Sequence, residues 1–291
     1  MSEKKEEKEK KKAELLLPDE VEVATATDAR DLVIISLPKM GKGAILGDFS
    51  VNNNALVFDL EKGGYEYIDA RKISTYSEES TTDVEAYFNY VSFREALLKE
   101  KGKYRFLIID GLSDLDKMSE IGGTLSYMNS TIGKNFNKKD PKDPRKDSPK
   151  YMPGDSEFKS VLTLADGGGY WYTRNWFLDQ IKLFREISPY RIYAAHVADK
   201  YIKELGKDEV VTSEIFLTGK LKNIFAIKVT ALAKMIAEDN KRYLNFDVMN
   251  DSIIAGSRAP KLKGKILISE MIDDVVVTHW NHIYSKECLS K

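Results

Sequence analysis

The chain has 291 residues, room for one large α/β domain or two small ones, and its 42% hydrophobic and 31% charged content suits a buried core beneath a solvated surface. Lys and Arg number 45 against 46 Asp and Glu, a formal net charge of −1, which excludes whole-protein attraction to nucleic acid but leaves room for a local basic patch. No apolar run approaches the roughly 18–20 residues of a membrane helix, no apolar leader follows the charged start, and the single Cys288 cannot form an internal disulfide, so a reducing, cytoplasmic setting without membrane contact is predicted.

Residues 3–12 are only Glu and Lys and cannot repay their ordering entropy by burial, so residues 1–20 are predicted to be a charged, flexible tail and 21–291 a single domain. Leu32–Leu37, Ala55–Leu60, Arg105–Asp110 and Arg191–His196 are short and nearly continuously apolar, the pattern of strands buried on both faces. Thr82–Glu100 and Tyr170–Ile187 carry apolar residues at helical spacing, the second stopping before Pro189. Between these helices, about residues 133–155, lies an insertion whose stretch Lys134–Lys150 holds seven basic and three acidic residues; it is predicted to be a surface segment with a local charge of +4. Val229–Ala237 and Tyr243–Val248 flank a polar turn and predict a β-hairpin, with another strand at Lys265–Ser269. Strands alternating with helices predict an α/β fold with a mostly parallel sheet flanked by helices and a C-terminal β-hairpin extension.

Four places carry chemistry. The first strand runs into Ser36-Leu-Pro-Lys-Met-Gly-Lys-Gly43, a partial match to the phosphate-loop pattern G-x-x-x-x-G-K-[S/T]. Gly41 and Lys42 fit it; Ser36 replaces the first glycine, and Gly43 replaces the hydroxyl residue that ligates magnesium. As a loop residue, Lys42 is expected to bind phosphates and to contribute little to the core. Phe106–Asp110 ends in a carboxylate placed as a magnesium ligand would be. Asp59-Leu-Glu-Lys-Gly-Gly64 supplies a carboxylate that can polarise an attacking water, and His196 ends a strand where a polar side chain can sense a γ-phosphate. Each motif is common alone, and an ordinary strand–turn–helix or a hydrogen-bonded histidine remains open for each. His279, His282 and Cys288 give three zinc-type ligands without a fourth, in a segment expected to be an exposed end. Trp171, Tyr172 and Trp176 are expected in the core.

In combination, Pro38-Lys-Met-Gly-Lys42, Asp59-Leu-Glu-Lys-Gly-Gly-Tyr65, Phe106–Asp110, Gly168-Gly-Tyr-Trp-Tyr172 and Ala194-Ala-His-Val197 resemble the RecA-like P-loop ATPases of bacteriophages, which carry one AAA-type nucleotide-binding domain and act in single-strand annealing or recombination. Leu217-Thr-Gly-Lys220, Lys241-Arg-Tyr-Leu244 and Ala255-Gly-Ser-Arg258 extend the likeness, which covers roughly Asp31 to Ser269. The resemblance implies a RecA-like core that binds ATP with Mg²⁺, assembles as a homo-oligomer (ring or filament) and contacts single-stranded DNA. It also implies a phosphate cradle at Pro38, Lys39, Met40, Gly41, Lys42, Gly43 and Ala44, with Asp110 on the metal. Glu61 would be the base and His196 the coupling residue, while Lys220 and Arg258 would reach nucleotide across a subunit boundary. Gly43 and Ser36 depart from the pattern and open a second reading, a degenerate, non-hydrolysing relative retained for DNA binding or assembly.

Overall fold

The computed structural model describes residues 24–78, 81–136, 159–202, 210–247, 255–273 and 275–290. The tail predicted at 1–20 and most of the basic insertion lie outside them. All six residues of β1 (Asp31–Ser36) are buried, as in a strand covered on both faces. It is followed by α1 (Lys42–Asn52), β2 (Ala55–Asp59), β3 (Lys72–Ser74), α2 (Asp83–Lys99), β4 (Phe106–Asp110), α3 (Leu112–Asn129) and α4 (Thr131–Phe136). Then come α5 (Gly169–Ile187), β5 (Tyr190–Ile202), β6 (Val210–Ile215), α6 (Leu221–Lys228), β7 (Ala231–Glu238), β8 (Lys241–Asn245), β9 (Gly256–Ser257), β10 (Lys265–Ile272), β11 (Val275–Thr278) and α7 (Lys286–Leu289).

The strands pair in the order β11-β10-β8-β7-β1-β5-β4-β2-β3. From β7 to β3 every pairing is parallel, and from β7 outward to β11 every pairing is antiparallel. This is the predicted α/β class: a mostly parallel sheet flanked by helices, with the C-terminal hairpins continuing the same sheet. Alternation along β1 divides the core. Val33 and Ile35 face the side packed by Tyr90, Leu115, Phe177 and Phe225, and Leu32 and Ile34 face Ile45, Phe49, Trp280 and Tyr284.

Both helices predicted from apolar spacing form, as α2 and α5. α2 opens with a capping box, Thr82 Oγ1 accepting from Glu85 N and Glu85 Oε2 accepting from Thr82 N. Gly122 and Gly123 lower helix propensity in the interior of α3, so the sequence there does not predict a helix. Packing requires them there. A Cβ on Gly122 would stand 2.2 Å from Trp176 Cε2, and one on Gly123 2.9 Å from Thr173 N, so the two glycines let α5 approach.

Three expectations need correction. β5 does not end at His196; it continues to Ile202, leaving the parallel sheet to form an antiparallel ribbon with β6. The C-terminal segment is not an exposed end. Trp280, Tyr284 and Cys288 are buried, with Trp280 4.4 Å from Phe49 and Tyr284 5.0 Å from Phe106 between ring centroids, so this segment completes the core beside α1. Trp171 is not core but 62% exposed, while Trp176 packs on Tyr87 and Tyr90.

Candidate functional site

The carboxyl ends of the parallel strands bring the candidate residues to one level. Ser36 of β1 pairs with His196 of β5, and Asp110 of β4 pairs with both Ala194 of β5 and Asp59 of β2. In open α/β sheets this edge is where ligands bind, because loops and helix N-termini converge there.

The turn after β1 runs through Leu37, Pro38 and Lys39, which are exposed, to Met40, Gly41 and the first turn of α1. Lys39 and Gly41 both have left-handed backbones, at φ 61° and 88°. Gly41 is the N-cap of α1 with no side-chain cap bond, so the first N–H groups of the helix, including those of Lys42, Gly43 and Ala44, are left for another acceptor. Arg242, 202 residues away in sequence, donates from Nε to Met40 O at 3.0 Å and pins the turn to β8.

Lys42 leaves this loop inward and is 8% exposed. Its Nζ lies 2.8 Å from Asp110 Oδ1 and 3.3 Å from Glu61 Oε1. The Asp110 contact is an ion pair off hydrogen-bond alignment, so that buried oxygen keeps an unspent acceptor direction. The other oxygen of Asp110 accepts from the Tyr65 hydroxyl at 2.7 Å. Glu61 Oε1 also lies 3.2 Å from His196 Nε2. Asp59, directly behind, accepts from Glu61 N at 3.2 Å and from Ser74 Oγ at 3.0 Å. A cleft of about 580 Å³ opens beside it, bounded by Gly64, Lys72 and Tyr76.

Environment separates the two carboxylates of this turn. Burial, reinforced by the Asp110 charge, raises Asp59 to about 6 despite its hydrogen bonds. Burial also opposes ionisation of Glu61, but His196 and Lys42 outweigh it and hold that carboxyl at about 2. For Lys42, burial acts against the charged form, and the Asp110 and Glu61 charges overcome it, raising its pKa. The expectation that Lys42 matters little to the fold is therefore corrected: it is the buried counterion of two carboxylates.

Two glycines shape the site. Gly111, at φ 94°, is the N-cap of α3, and a Cβ there would come within 2.8 Å of Glu61 Cγ. At Gly43 a Cβ would stand 3.1 Å from Ile68 Cδ1, because the segment after Glu61 folds back over α1.

Lys42, Glu61, Asp110 and His196 are thus brought together, with Pro38–Ala44 around them. Lys220 and Arg258 are not. Lys220 is exposed at the start of α6 and meets none of these groups. Arg258 lies at the opposite edge of the sheet, its Nη2 donating to Ile227 O at 2.7 Å and its N to Thr230 O, beside the start of β1. Tyr65 and Arg242 fall inside the motifs that carried the resemblance, yet no local pattern marks which atom either would touch. His279 and His282 are engaged with Glu270 and Leu267 O, and among the described residues no cluster of three or more His, Cys, Asp or Glu is arranged to hold a metal. A divalent ion accompanying phosphates nevertheless fits Asp110, whose buried Oδ1 accepts no hydrogen bond beyond its ion pair with Lys42, while Gly43 offers no hydroxyl to it.

No protein-family model and no curated protein matches the chain. Among solved structures the chain is similar to a KaiC-like protein from the hyperthermophilic archaeon Pyrococcus horikoshii OT3, at 10% sequence identity and a TM-score of 0.38, with 86% of this chain and 89% of the other covered. Among the described residues no helix is long and apolar enough to cross a membrane.

Proposed function

We propose that the protein is a RecA-like P-loop ATPase that binds ATP with Mg²⁺ at the carboxyl edge of β1. One observation carries this reading: Lys42, Glu61, Asp110 and His196 converge from four separate elements beside an uncapped helix N-terminus. Such an edge suits a polyphosphate, since backbone N–H groups and one lysine meet the anion while carboxylates stand behind it. Lys42 exchanges its carboxylate partners for phosphate oxygens. Asp110, released, would hold the metal, which would supply charge neutralisation on the phosphates. Glu61 loses the Lys42 charge that helps hold its carboxyl at about 2, so its basicity rises when nucleotide is in place. It then accepts the proton of the attacking water, with His196 Nε2 fixing its orientation.

The motif resemblance extends the proposal to a phage-type protein of the host cytoplasm that assembles on single-stranded DNA in recombination or annealing, with Lys220 and Arg258 meeting nucleotide bound by a neighbouring copy. ATP turnover measured with and without single-stranded DNA tests it: turnover stimulated by the DNA is expected, and absent binding of any nucleoside triphosphate would end the reading. A second reading, a non-hydrolysing relative, is favoured by Gly43, which lacks the hydroxyl and has Ile68 packed against it. ATP binding without turnover is its signature.

A further inference from the structure

The sheet ends at β11, which pairs with β10 alone among the described strands. Ile272 stands opposite Val275 and Met271 opposite Val276. His279 N donates to Ile268 O at 2.8 Å, while Met271 N turns the other way and donates to Asn240 O at 2.9 Å. By the alternation of an antiparallel ladder, Val275 and Val277 spend their backbone groups on β10, and Val276 and Thr278 direct theirs outward. Among the described residues none meets those outward groups. We propose that a second copy of the chain pairs with this edge, antiparallel and two-fold symmetric, with Val277 on the axis.

Composition, register and charge support it. Exposed edge strands are commonly guarded by lysine, proline or a bulge, and Val275-Val-Val-Thr278 carries none of these. The irregularity of β10 lies on its β8 side and leaves the outer edge straight. Apolar side chains flank the edge on both faces: Val275 (61% exposed) with Ile272 on one, and Met271 on the face toward α1. With Val277 on the axis, Val276 of each copy faces Thr278 of the other. That register satisfies every outward N–H and C=O of both strands in four hydrogen bonds, whereas a shift by one residue in either direction leaves some unpaired. Charge argues for a second copy as the occupant. β11 itself is uncharged, so it does not repel its own likeness. Asp273 precedes it and His279 and His282 follow it, so antiparallel pairing carries each acidic end toward the imidazole end of the other copy. Such a contact is isologous and closes at two copies, leaving the carboxyl edge of the sheet free. It goes beyond the nucleotide reading and does not depend on it.

Sedimentation velocity of the full chain without nucleotide, over a range of protein concentrations, tests the pairing. Wild type should show a monomer–dimer equilibrium. Val277→Lys sets two like charges face to face on the axis and should weaken the dimer at least about tenfold, and Val277→Glu should do the same. An equimolar mixture of the two should associate again, which also shows that both variants fold. Val277→Cys tests the register with a smaller change. The axial residues form a non-hydrogen-bonded pair with Cα atoms about 4.5 Å apart, within reach of a disulfide, so oxidation should give a covalent dimer. Val275→Cys, which would face His279 of the second copy, should not crosslink, and the native Cys288 is buried and gives no background. Wild type that stays monomeric throughout, or associates only with ATP, overturns the proposal. So does a dimer that survives Val277→Lys unchanged, or Val275→Cys that crosslinks as readily as Val277→Cys.

Discussion

The Lys42 ammonium and the Asp110 carboxylate stand 2.8 Å apart, both buried, at the ends of two elements separated by 68 residues of sequence. Without nucleotide the lysine neutralises the very carboxylates from which a phosphate and its metal would later draw it. The fold therefore stores an exchange: whatever anion enters must offer Lys42 at least what Asp110 and Glu61 offer already.

Lys42→Ala should accordingly do two things. It removes the cation meant for phosphates, so ATP affinity falls by at least about tenfold. It also leaves the buried Asp110 carboxylate without its counterion and Glu61 with His196 alone, which costs about 3 kcal/mol, the range seen when one partner of a buried ion pair is deleted. Calorimetric melting without nucleotide reads the second effect. A wild-type Tm in Lys42→Ala would mean the pairing contributes nothing to the folded state.

The two carboxylates of the Asp59–Glu61 turn should respond to pH in opposite senses. Asp59 is raised from 3.8 to about 6 in the fold, so its contribution is fully present below 3.8 and is lost as pH rises through about 6. Asp59→Asn should thus gain on wild type between about pH 4 and pH 7, by an amount of order 2 kcal/mol. Glu61 is lowered from 4.5 to about 2, so its contribution is present above 4.5 and lost as pH falls toward about 2. Glu61→Gln should cost stability at neutral pH, and that cost should shrink below about pH 4.5. Denaturant titrations of both variants across this window check the signs; parallel pH slopes would show that the environments are not as assigned.

How far the sequence revealed this arrangement depended on locality. β1, β2 and β4 were legible because their apolar runs are continuous, and the order Lys42, Glu61, Asp110 carried the chemistry. The hydroxyl of Tyr65 on Asp110 and the guanidinium of Arg242 on Met40 were not, since each depends on where a distant backbone returns. The C-terminal aromatics misled for the converse reason: Trp280 and Tyr284 sit among His, Asn and Ser, and only the open side of Phe49 and Phe106 draws them inward.

Gly111→Ala tests whether Glu61 is held in position or only near it. The new methyl meets Glu61 Cγ at 2.8 Å, and a non-glycine residue at φ 94° costs about 1–2 kcal/mol. On the proposed role of Glu61, which is to polarise water and not to grip phosphate, turnover should fall further than ATP affinity. Equal losses in both would assign Glu61 to binding.

The missing hydroxyl at Gly43 decides between hydrolysis and mere binding, and the packing dictates how it must be restored. Gly43→Thr places the hydroxyl where related loops ligate Mg²⁺, at a helical position where glycine is otherwise unfavourable. Yet its Cβ would stand 3.1 Å from Ile68 Cδ1, so the β-branched side chain has to displace that methyl. Ile68→Val deletes the methyl at a cost of about 1 kcal/mol and opens the space. The double variant, more than Gly43→Thr alone, should raise ATP turnover and sharpen its magnesium dependence, since a fixed ligand then orders the ion that neutralises the transferred phosphoryl group. Turnover that stays near zero in the double variant, with ATP still bound and the melting curve intact, would count against the ATPase and leave a nucleotide-binding protein that does not hydrolyse.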